Sequence, residues 1–482
     1  MMSTFVFSAD AIRAIDEDLE RLDLLELTME TAGARVACHV HERFASERRA
    51  HPSGLILAGS GANGGDAFVA ARHLLAFGWH VEVLALDTRH PLALRMSTRL
   101  ESFASVQALT PESLRGALPS ANVVLDGLLG TGFTPPLRAP LDDIVRTLNA
   151  SGRTIVSIDV PSGLRSDTVE HDLYVKADLT LALVGPKPAL LFHDLGEVDV
   201  LELGVPNELL ERHAVARNID MNAVRSLLPV RSKGAHKGTA GRVWILGGSP
   251  GYVGAPALSA LGALRAGSGL VTLYARTSIE QHALEAMPHR LERWEDLPND
   301  SRPDALAVGM GLREDGPVVA RMVLAWRVKT VLDADALQPE LAGLGHDEVV
   351  WTPHPGEAAR LLSGNVEDVA RDPFGSVRAL RKRFGGTVVL KGAPTLVATR
   401  EGVYACPFGN PGMATGGMGD VLSGVIASLL GQGLSGADAA VLGVALHALA
   451  GDAAAKRYGY GLVASDVAEE VAATWHNLTR AF

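Results

Sequence analysis

Phe408-Gly409-Asn410-Pro411-Gly412-Met413-Ala414-Thr415-Gly416-Gly417-Met418-Gly419-Asp420 carries five glycines and ends in a carboxylate. The next residues, Val421-Leu422-Ser423-Gly424-Val425-Ile426-Ala427-Ser428-Leu429-Leu430, form an apolar run long enough for a helix. A Gly-rich loop that opens a helix points several backbone N–H groups one way, at the positive end of the helix dipole, and so makes an anion site that usually takes phosphate. A carboxylate beside it repels the ligand unless it has chemistry to do, such as taking a proton from an attacking hydroxyl. Alternatively, Asp420 is only a helix N-cap, a common use of Asp. The surrounding chain decides between the two.

Working outward, three more chemistry-bearing stretches follow short apolar strands. Lys391-Gly392-Ala393-Pro394-Thr395 follows Val388-Val389-Leu390, and Pro353-His354-Pro355-Gly356-Glu357 follows Val349-Val350-Trp351. Asp333 and Asp335 follow the strand Thr330–Leu332. Each has a plainer reading: a solvated lysine, a proline-bounded surface turn, two helix caps. Upstream, the strand Arg242–Leu246 runs into Gly247-Gly248-Ser249, a helix to Ala266 and the strand Leu270–Leu273. No G-x-x-x-x-G-K-[S/T] occurs, so this is not a P-loop enzyme.

The first half alternates in the same way. Helical spacing covers 8–45, with Ser8 and Asp10 as cap candidates. The strand Leu55–Ala58 leads into the loop Gly59–Asp66 and a helix from Ala67 to Phe77. Val123–Leu125 ends at Asp126, Thr154–Ile158 ends at Asp159, and Leu179–Leu183 is a further strand. Strands alternating with helices imply a doubly wound parallel sheet whose strand-end loops build the site. The expected architecture is two α/β domains, 1–215 and 216–482, the first a Rossmann-like three-layer sandwich. Gly59, Gly61, Gly64 and Asp87 also sketch a dinucleotide fingerprint, but Asp66 stands where a pyrophosphate should lie.

At 482 residues, two domains are the first guess. A net charge of −11 argues against a general nucleic-acid binder. Cys38 and Cys406 are the only cysteines, which fits a reducing cytoplasm. The start lacks the basic region of a secretory signal, and no apolar run reaches the roughly 18–20 residues that span a bilayer. A cytoplasmic homo-oligomer without membrane or nucleic-acid partners is expected.

Gly59–Asp66 resembles the G-x-G-N-N-G-G-D loop of the NAD(P)H-hydrate epimerase domain. Met29-Glu30-Thr31-Ala32-Gly33, Asp126–Phe133 and Ile158–Leu164 are similar to its M-E-N-A-G, D-A-L-F-G-T-G-L and I-D-x-P-S-G-L motifs. The resemblance implies an isomerase that interconverts the R and S hydrates, with Ala62, Asn63, Gly64, Gly65, Asp66 and the loop Gly130, Thr131, Gly132, Phe133, Thr134, Pro135, Pro136 holding the hydrate. It makes Asp159 the acid/base and Asn63, Asp126 and Ser162 the ligands of a potassium ion. Ala62 and Thr31 replace asparagines of the pattern, and Ala67 replaces a glycine. Loss of an amide that contacts substrate costs about 1–3 kcal/mol.

His236-Lys237-Gly238, Gly247-Gly248-Ser249, Gly254-Ala255-Pro256, Asp333–Leu337, Pro353–Glu357 and Asn410–Asp420 resemble the ADP- or ATP-dependent NAD(P)H-hydrate dehydratase, a ribokinase-like lyase. Gly309-Met310-Gly311-Leu312 departs from its G-P-G-L, and Met418 from its G-G-T-G-D. The resemblance implies that ADP phosphorylates the hydrate's hydroxyl and that AMP and phosphate are released. Asp420 would be the base and Gly416, Gly417, Met418 and Gly419 the anion hole. Ala255, Gly311, His354 and Asp420 would contact the hydrate, Lys391, Gly392, Ala393, Pro394, Thr395 and Gly419 the nucleotide, and Glu357 would organise Mg²⁺ through water. The alternative is a ribokinase-like small-molecule kinase with a non-catalytic N-terminal binding domain.

Overall fold

A computed structural model describes residues 5–45, 52–134, 136–169, 173–192, 195–279, 285–298 and 301–480. Pro135, expected in the substrate loop, lies outside the described residues. The chain divides into two compact units, Met1–Ala216 and Arg217–Phe482.

The first unit is built on seven parallel strands in the spatial order Val106–Ala108, His80–Ala85, Ser53–Ala58, Val123–Gly127, Thr154–Ile158, Leu179–Leu183, Glu197–Leu201. The interior strands Val123–Gly127 and Leu179–Leu183 are buried at every position, as a sheet covered on both faces requires. One face packs on Met29, Val36, Phe68 and Leu74. The other packs on Leu114, Ile144, Val145 and Leu148. The result is three layers. Sequence order reverses between Ser53–Ala58 and Val123–Gly127, which opens a crevice at their carboxyl ends.

Two boundaries differ from the sequence reading. The stretch 8–45 is two helices, Ala9–Arg21 and Leu25–Phe44, separated at Asp23, whose φ of +58° no helix continues through. Ser8 caps the first by accepting from Ala11 N at 3.2 Å. The second difference matters more: the helix read from Ala67 begins at Ala62, so Asn63, Gly64, Gly65 and Asp66 are its first turns rather than a loop. The glycines serve close packing. A Cβ on Gly64 would stand 2.1 Å from Gly59 O, and one on Gly65 2.7 Å from Met29 Sδ.

The second unit carries a parallel run ordered Met287–Arg290, Leu270–Ala275, Arg242–Leu246, Ala305–Val308, Lys329–Leu332, Val349–Trp351, Thr387–Leu390. Thr395–Ala398 and Val403–Cys406 extend it antiparallel. Order reverses between Arg242–Leu246 and Ala305–Val308. The helix Met418–Gly431 lies almost backbone to backbone on the helix Gly254–Arg265. A Cβ on Gly424 would stand 1.9 Å from Ser259 O, and one on Gly262 2.5 Å from Val421 O. Gly424→Ala must therefore part the two helices. Overpacking of this kind costs about 1–3 kcal/mol, and calorimetry should find the second unit's melting temperature lowered by about 3–10 °C.

The expectation that no apolar run is long enough to cross a membrane needs correction. By length and composition Gly436–Gly461 qualifies, with a mean hydropathy of 1.3. In its most apolar 18-residue window 72% is buried, and Ala439, Leu442, Ala445 and Leu446 join the core cluster, so its apolarity serves the protein interior.

Candidate active sites

In the second unit, the loops after the parallel strands Lys329–Leu332, Val349–Trp351 and Thr387–Leu390 bring Asp333, Glu357 and Lys391 to the N-terminus of Met418–Gly431. Gly417 is the N-cap of that helix, with φ +90°, and a Cβ there would stand 2.6 Å from Leu258 Cδ1. Asp420 is therefore in the first turn and is not the cap residue. Its carboxylate has no hydrogen-bond partner among the described residues. Burial pushes it up to about 7, with Asp333 adding to the rise and Lys391 opposing it.

Lys391 and two carboxylates form the floor. Lys391 Nζ donates to Asp333 Oδ1 (2.6 Å) and lies 3.7 Å from Glu357 Oε2. Burial disfavours the Lys391 charge, but Asp333 and Glu357 outweigh it and hold the group above its ordinary range. Asp333 Oδ2 accepts from the Ser423 hydroxyl at 2.6 Å, so Asp333 ties the lysine to the helix. A Cβ on Gly419 would stand 3.1 Å from Lys391 Nζ, which puts the cation beside the loop amides. Glu357 is itself raised by burial, with Lys391 opposing.

His354 does act as a cap. Its Nδ1 accepts from Gly356 N (3.0 Å) and Glu357 N (3.3 Å), while Glu357 Oε2 accepts from His354 N (2.8 Å). The ring remains 56% exposed, so the cap and a ligand contact are compatible. Lys391–Thr395 is the hairpin between Thr387–Leu390 and Thr395–Ala398, closed by Thr395 Oγ1 donating to Gly392 O at 3.0 Å. Gly392 and Ala393 are exposed. Gly311 has φ +70°, and a Cβ there would meet Tyr252 O at 2.7 Å, joining its loop to the one that precedes Ala255. Gly416 is exposed and Met418 is buried in the core cluster, so only the Met418 backbone can face a ligand.

In the first unit, Asp126 is fully buried and accepts from Ser162 Oγ (2.6 Å), Ser157 Oγ (2.8 Å), Ser162 N (3.0 Å) and Leu128 N (3.3 Å). Burial raises its carboxyl, and these donors oppose the rise. Asn63 Nδ2 donates to Leu129 O (3.0 Å) and Ile158 O (3.2 Å), and its Oδ1 is buried without a hydrogen-bond partner among the described residues. Asn63, Asp126 and Ser162 thus come together. Asp159 stands beside them, ion-paired to the fully buried Lys187. Asp66 is buried and pushed well above its ordinary range by burial first and then by Asp159 and Asp16. Gly130 lies close, since a Cβ there would be 3.4 Å from Asn63 Cβ and 3.7 Å from Asp159 Oδ2. Thr131 and Phe133 are half-buried, while Ala62, Gly132, Thr134 and Pro136 are exposed. Thr31 spends its hydroxyl on Leu27 O (2.8 Å) in its own helix. Asp87, the ribose candidate of the dinucleotide fingerprint, is 86% exposed.

Sequence reasoning missed Lys187, Asp16, Ser157, Ser423 and Asp452. Asp452 accepts from Gly409 N (3.0 Å) and Asn410 Nδ2 (2.9 Å), and so shapes the approach to the Gly-rich loop. Lys187 carried one usable signal: like Asp159, it follows the carboxyl end of a parallel strand.

A Rossmann-like unit with a buried acid cluster, followed by a ribokinase-like unit whose glycine-rich loop opens a helix with a carboxylate in its first turn, defines a two-site α/β enzyme. Residues 26–189 match the family described as YjeF-related protein N-terminus, and residues 243–473 the family described as NAD(P)H-hydrate dehydratase. The chain belongs to the family of bifunctional NAD(P)H-hydrate repair enzymes. It is 37% identical over 432 residues to the Coxiella burnetii enzyme of that name, covering 86% of this chain and 88% of that one. The Escherichia coli enzyme is 34% identical over 483 residues, covering 96% and 92%. Among solved structures, the Bacillus subtilis ADP/ATP-dependent NAD(P)H-hydrate dehydratase, co-crystallised with ATP/Mg²⁺, matches with a TM-score of 0.50 and 27% identity, over 54% of this chain and 98% of that one.

Proposed function

We propose that Asp159 and Asp420 carry the two reactions of this bifunctional repair enzyme, which epimerises the R and S hydrates of NAD(P)H and dehydrates the S form at the expense of ADP. The first unit holds the epimerase site and the second the dehydratase site. The observation that carries the reading is the Asp420 carboxylate: half-buried, without a hydrogen-bond partner among the described residues, and placed in the first turn of a helix that opens from a glycine-rich loop.

Hydroxide is a poor leaving group. At the second site Asp420 takes the proton of the hydrate's hydroxyl as its oxygen attacks the β-phosphorus of ADP, and AMP leaves. The Gly416–Gly419 amides and Lys391 stabilise the phosphoryl charge. The ring nitrogen then expels phosphate, and loss of a proton from the adjacent ring carbon restores the dihydronicotinamide. Ala255, Gly311 and His354 hold the hydrate, and Lys391–Thr395 holds the nucleotide. Glu357, one oxygen of which accepts from His354 N, would hold Mg²⁺ through water, and the bound ion would screen the phosphate charge.

At the first site, Asn63, Asp126 and Ser162 suit a potassium ion. A monovalent hard cation wants oxygen donors of low total charge, and Asn63 Oδ1 is a buried acceptor without a partner among the described residues. The ion would hold the substrate loop in place. Asp159, facing the Gly130 loop, is the acid/base. A reducing, cytoplasmic setting fits a chain with only two cysteines.

Incubation with S-NADHX, ADP and Mg²⁺ is expected to restore absorbance at the NADH band. A product that keeps its phosphate would instead identify a kinase.

A further inference from the structure

Two turns at neighbouring strand ends share an uncommon geometry. Val160 N donates to Ile158 O (2.9 Å) across Asp159, whose φ is +69°. Gly185 N donates to Leu183 O (2.7 Å) across Val184, whose φ is +67°. A three-residue turn closed by such a bond, with positive φ at its centre, is the rare and strained form of the γ-turn. For a β-branched residue like Val, positive φ is a true outlier. The turns lie side by side, because Thr154–Ile158 and Leu179–Leu183 are parallel neighbours with Ile158 opposite Leu181.

Each turn aims one side chain. The first projects Asp159 from its strand end. The second reverses the chain so that Leu183 O and Gly185 O lie 2.8 and 3.1 Å from Lys187 Nζ. An ammonium has three donors and no acceptor. The third donor goes to Asp159 Oδ1, so every one is committed on a side chain that is 1% exposed. Burying a charge this completely is costly for the fold, and strain of this kind gathers at functional sites. Asp159 Oδ1 also accepts from Leu183 N at 3.3 Å, which leaves Oδ2 toward the Gly130 loop.

The surroundings are acidic. Asp66, from the helix Ala62–Ala76, and Asp16, from the helix Ala9–Arg21, both act on this pair. Asp16 is pushed up to about 6 by burial and then by Asp159, with Lys187 opposing. Three carboxylates gather near one ammonium, and Lys187 is the only cation among these four groups.

We infer that Lys187 is the positioning residue of the epimerase site: it fixes Asp159 through Oδ1, compensates its charge beside Asp16 and Asp66, and leaves Oδ2 as the single acid/base edge for the hydrated nicotinamide carbon. This rests on reading the first unit as the epimerase.

The intact chain supplies its own control. Consumption of R-NADHX above its spontaneous rate reads the first site, and ADP-driven dehydration of S-NADHX reads the second. Lys187→Met should lower the first by about 100-fold, within the range of general acid–base effects, and leave the second unchanged. Lys187→Arg, which keeps the charge, should recover part of the loss. In Lys187→Met the loss should fall on kcat with KM little changed, because the lysine meets Asp159 and the strand-end carbonyls rather than the substrate. An unchanged kcat overturns the inference. So does loss of the first unit's unfolding transition in both Lys187→Met and Lys187→Gln, which assigns the lysine to stability alone. If the wild-type chain consumes R-NADHX no faster than the spontaneous rate, the epimerase reading itself falls, whatever the variants do.

Discussion

Asp420→Asn lowers ADP-dependent dehydration of S-NADHX by about 10²–10⁴-fold, the span of a positioned general base, and leaves epimerisation at the other site intact. The amide keeps the shape of the side chain and cannot take the hydroxyl proton. Binding of ADP should tighten slightly, because a negative charge beside the phosphate cradle is removed. Single-turnover kinetics with excess enzyme separate the two effects. If Asp420 were a helix cap, Asn would substitute well and the rate would scarcely change.

The same carboxylate sets a pH dependence. Burial places its proton loss at about 7, and only the ionised form is a base. The kcat/KM profile, which reports the unliganded site, should therefore rise with pH through about 7 and level off above it. Stability moves the opposite way. The folded pKa is raised, so between the ordinary carboxylate range and about pH 7 the native state binds the proton more tightly than the unfolded chain. That stabilisation is fully present in acid and is lost as pH rises through 7. Asp420→Asn should then raise the second unit's melting temperature at pH 8 and leave it unchanged at pH 4. A dead but more stable variant is the signature of a carboxylate kept for chemistry.

How much of this could be read from the chain alone depended on whether a residue's role was local. Strand-end carboxylates announced themselves because an apolar run, an acid and a glycine cluster are adjacent in sequence, and the structure sets Asp126, Asp159 and Asp333 at strand ends as that pattern implies. The Gly59–Asp66 stretch misled because glycine is both a loop former and the residue that lets backbones touch. Gly64 and Gly65 serve the second use, so the helix begins at Ala62. Lys187 and Ser423 stayed hidden for a different reason. Each acts through a partner far away in sequence, Asp159 and Asp333, and neither sits in a motif. The membrane-length helix Gly436–Gly461 shows the same ambiguity for composition: an apolar stretch reads alike whether lipid or protein will cover it.

Asp126→Ala is expected to damage the first unit more than any other single change near its site. The carboxylate accepts from both serine hydroxyls and two backbone N–H groups, all at fully or nearly fully buried positions. Truncation leaves the Ser162 and Leu128 N–H groups without acceptors, and each unsatisfied buried donor costs about 1–3 kcal/mol. With the lost side-chain bonds the total is about 3–5 kcal/mol. For a unit of this size that lowers the melting temperature by about 6–20 °C. Calorimetry should show the first unit's transition shifted and the second unit's in place, with S-NADHX dehydration retained and R-NADHX turnover lost. Exchanging potassium chloride for tetramethylammonium chloride at equal ionic strength tests the ion reading. A ligand that binds only the folded form raises its stability, so potassium should raise the first transition in the wild type and have no effect in Asp126→Ala. A wild-type transition indifferent to potassium would leave Asn63 Oδ1 as an unpaired acceptor tolerated by the fold, and would remove the cation from the mechanism.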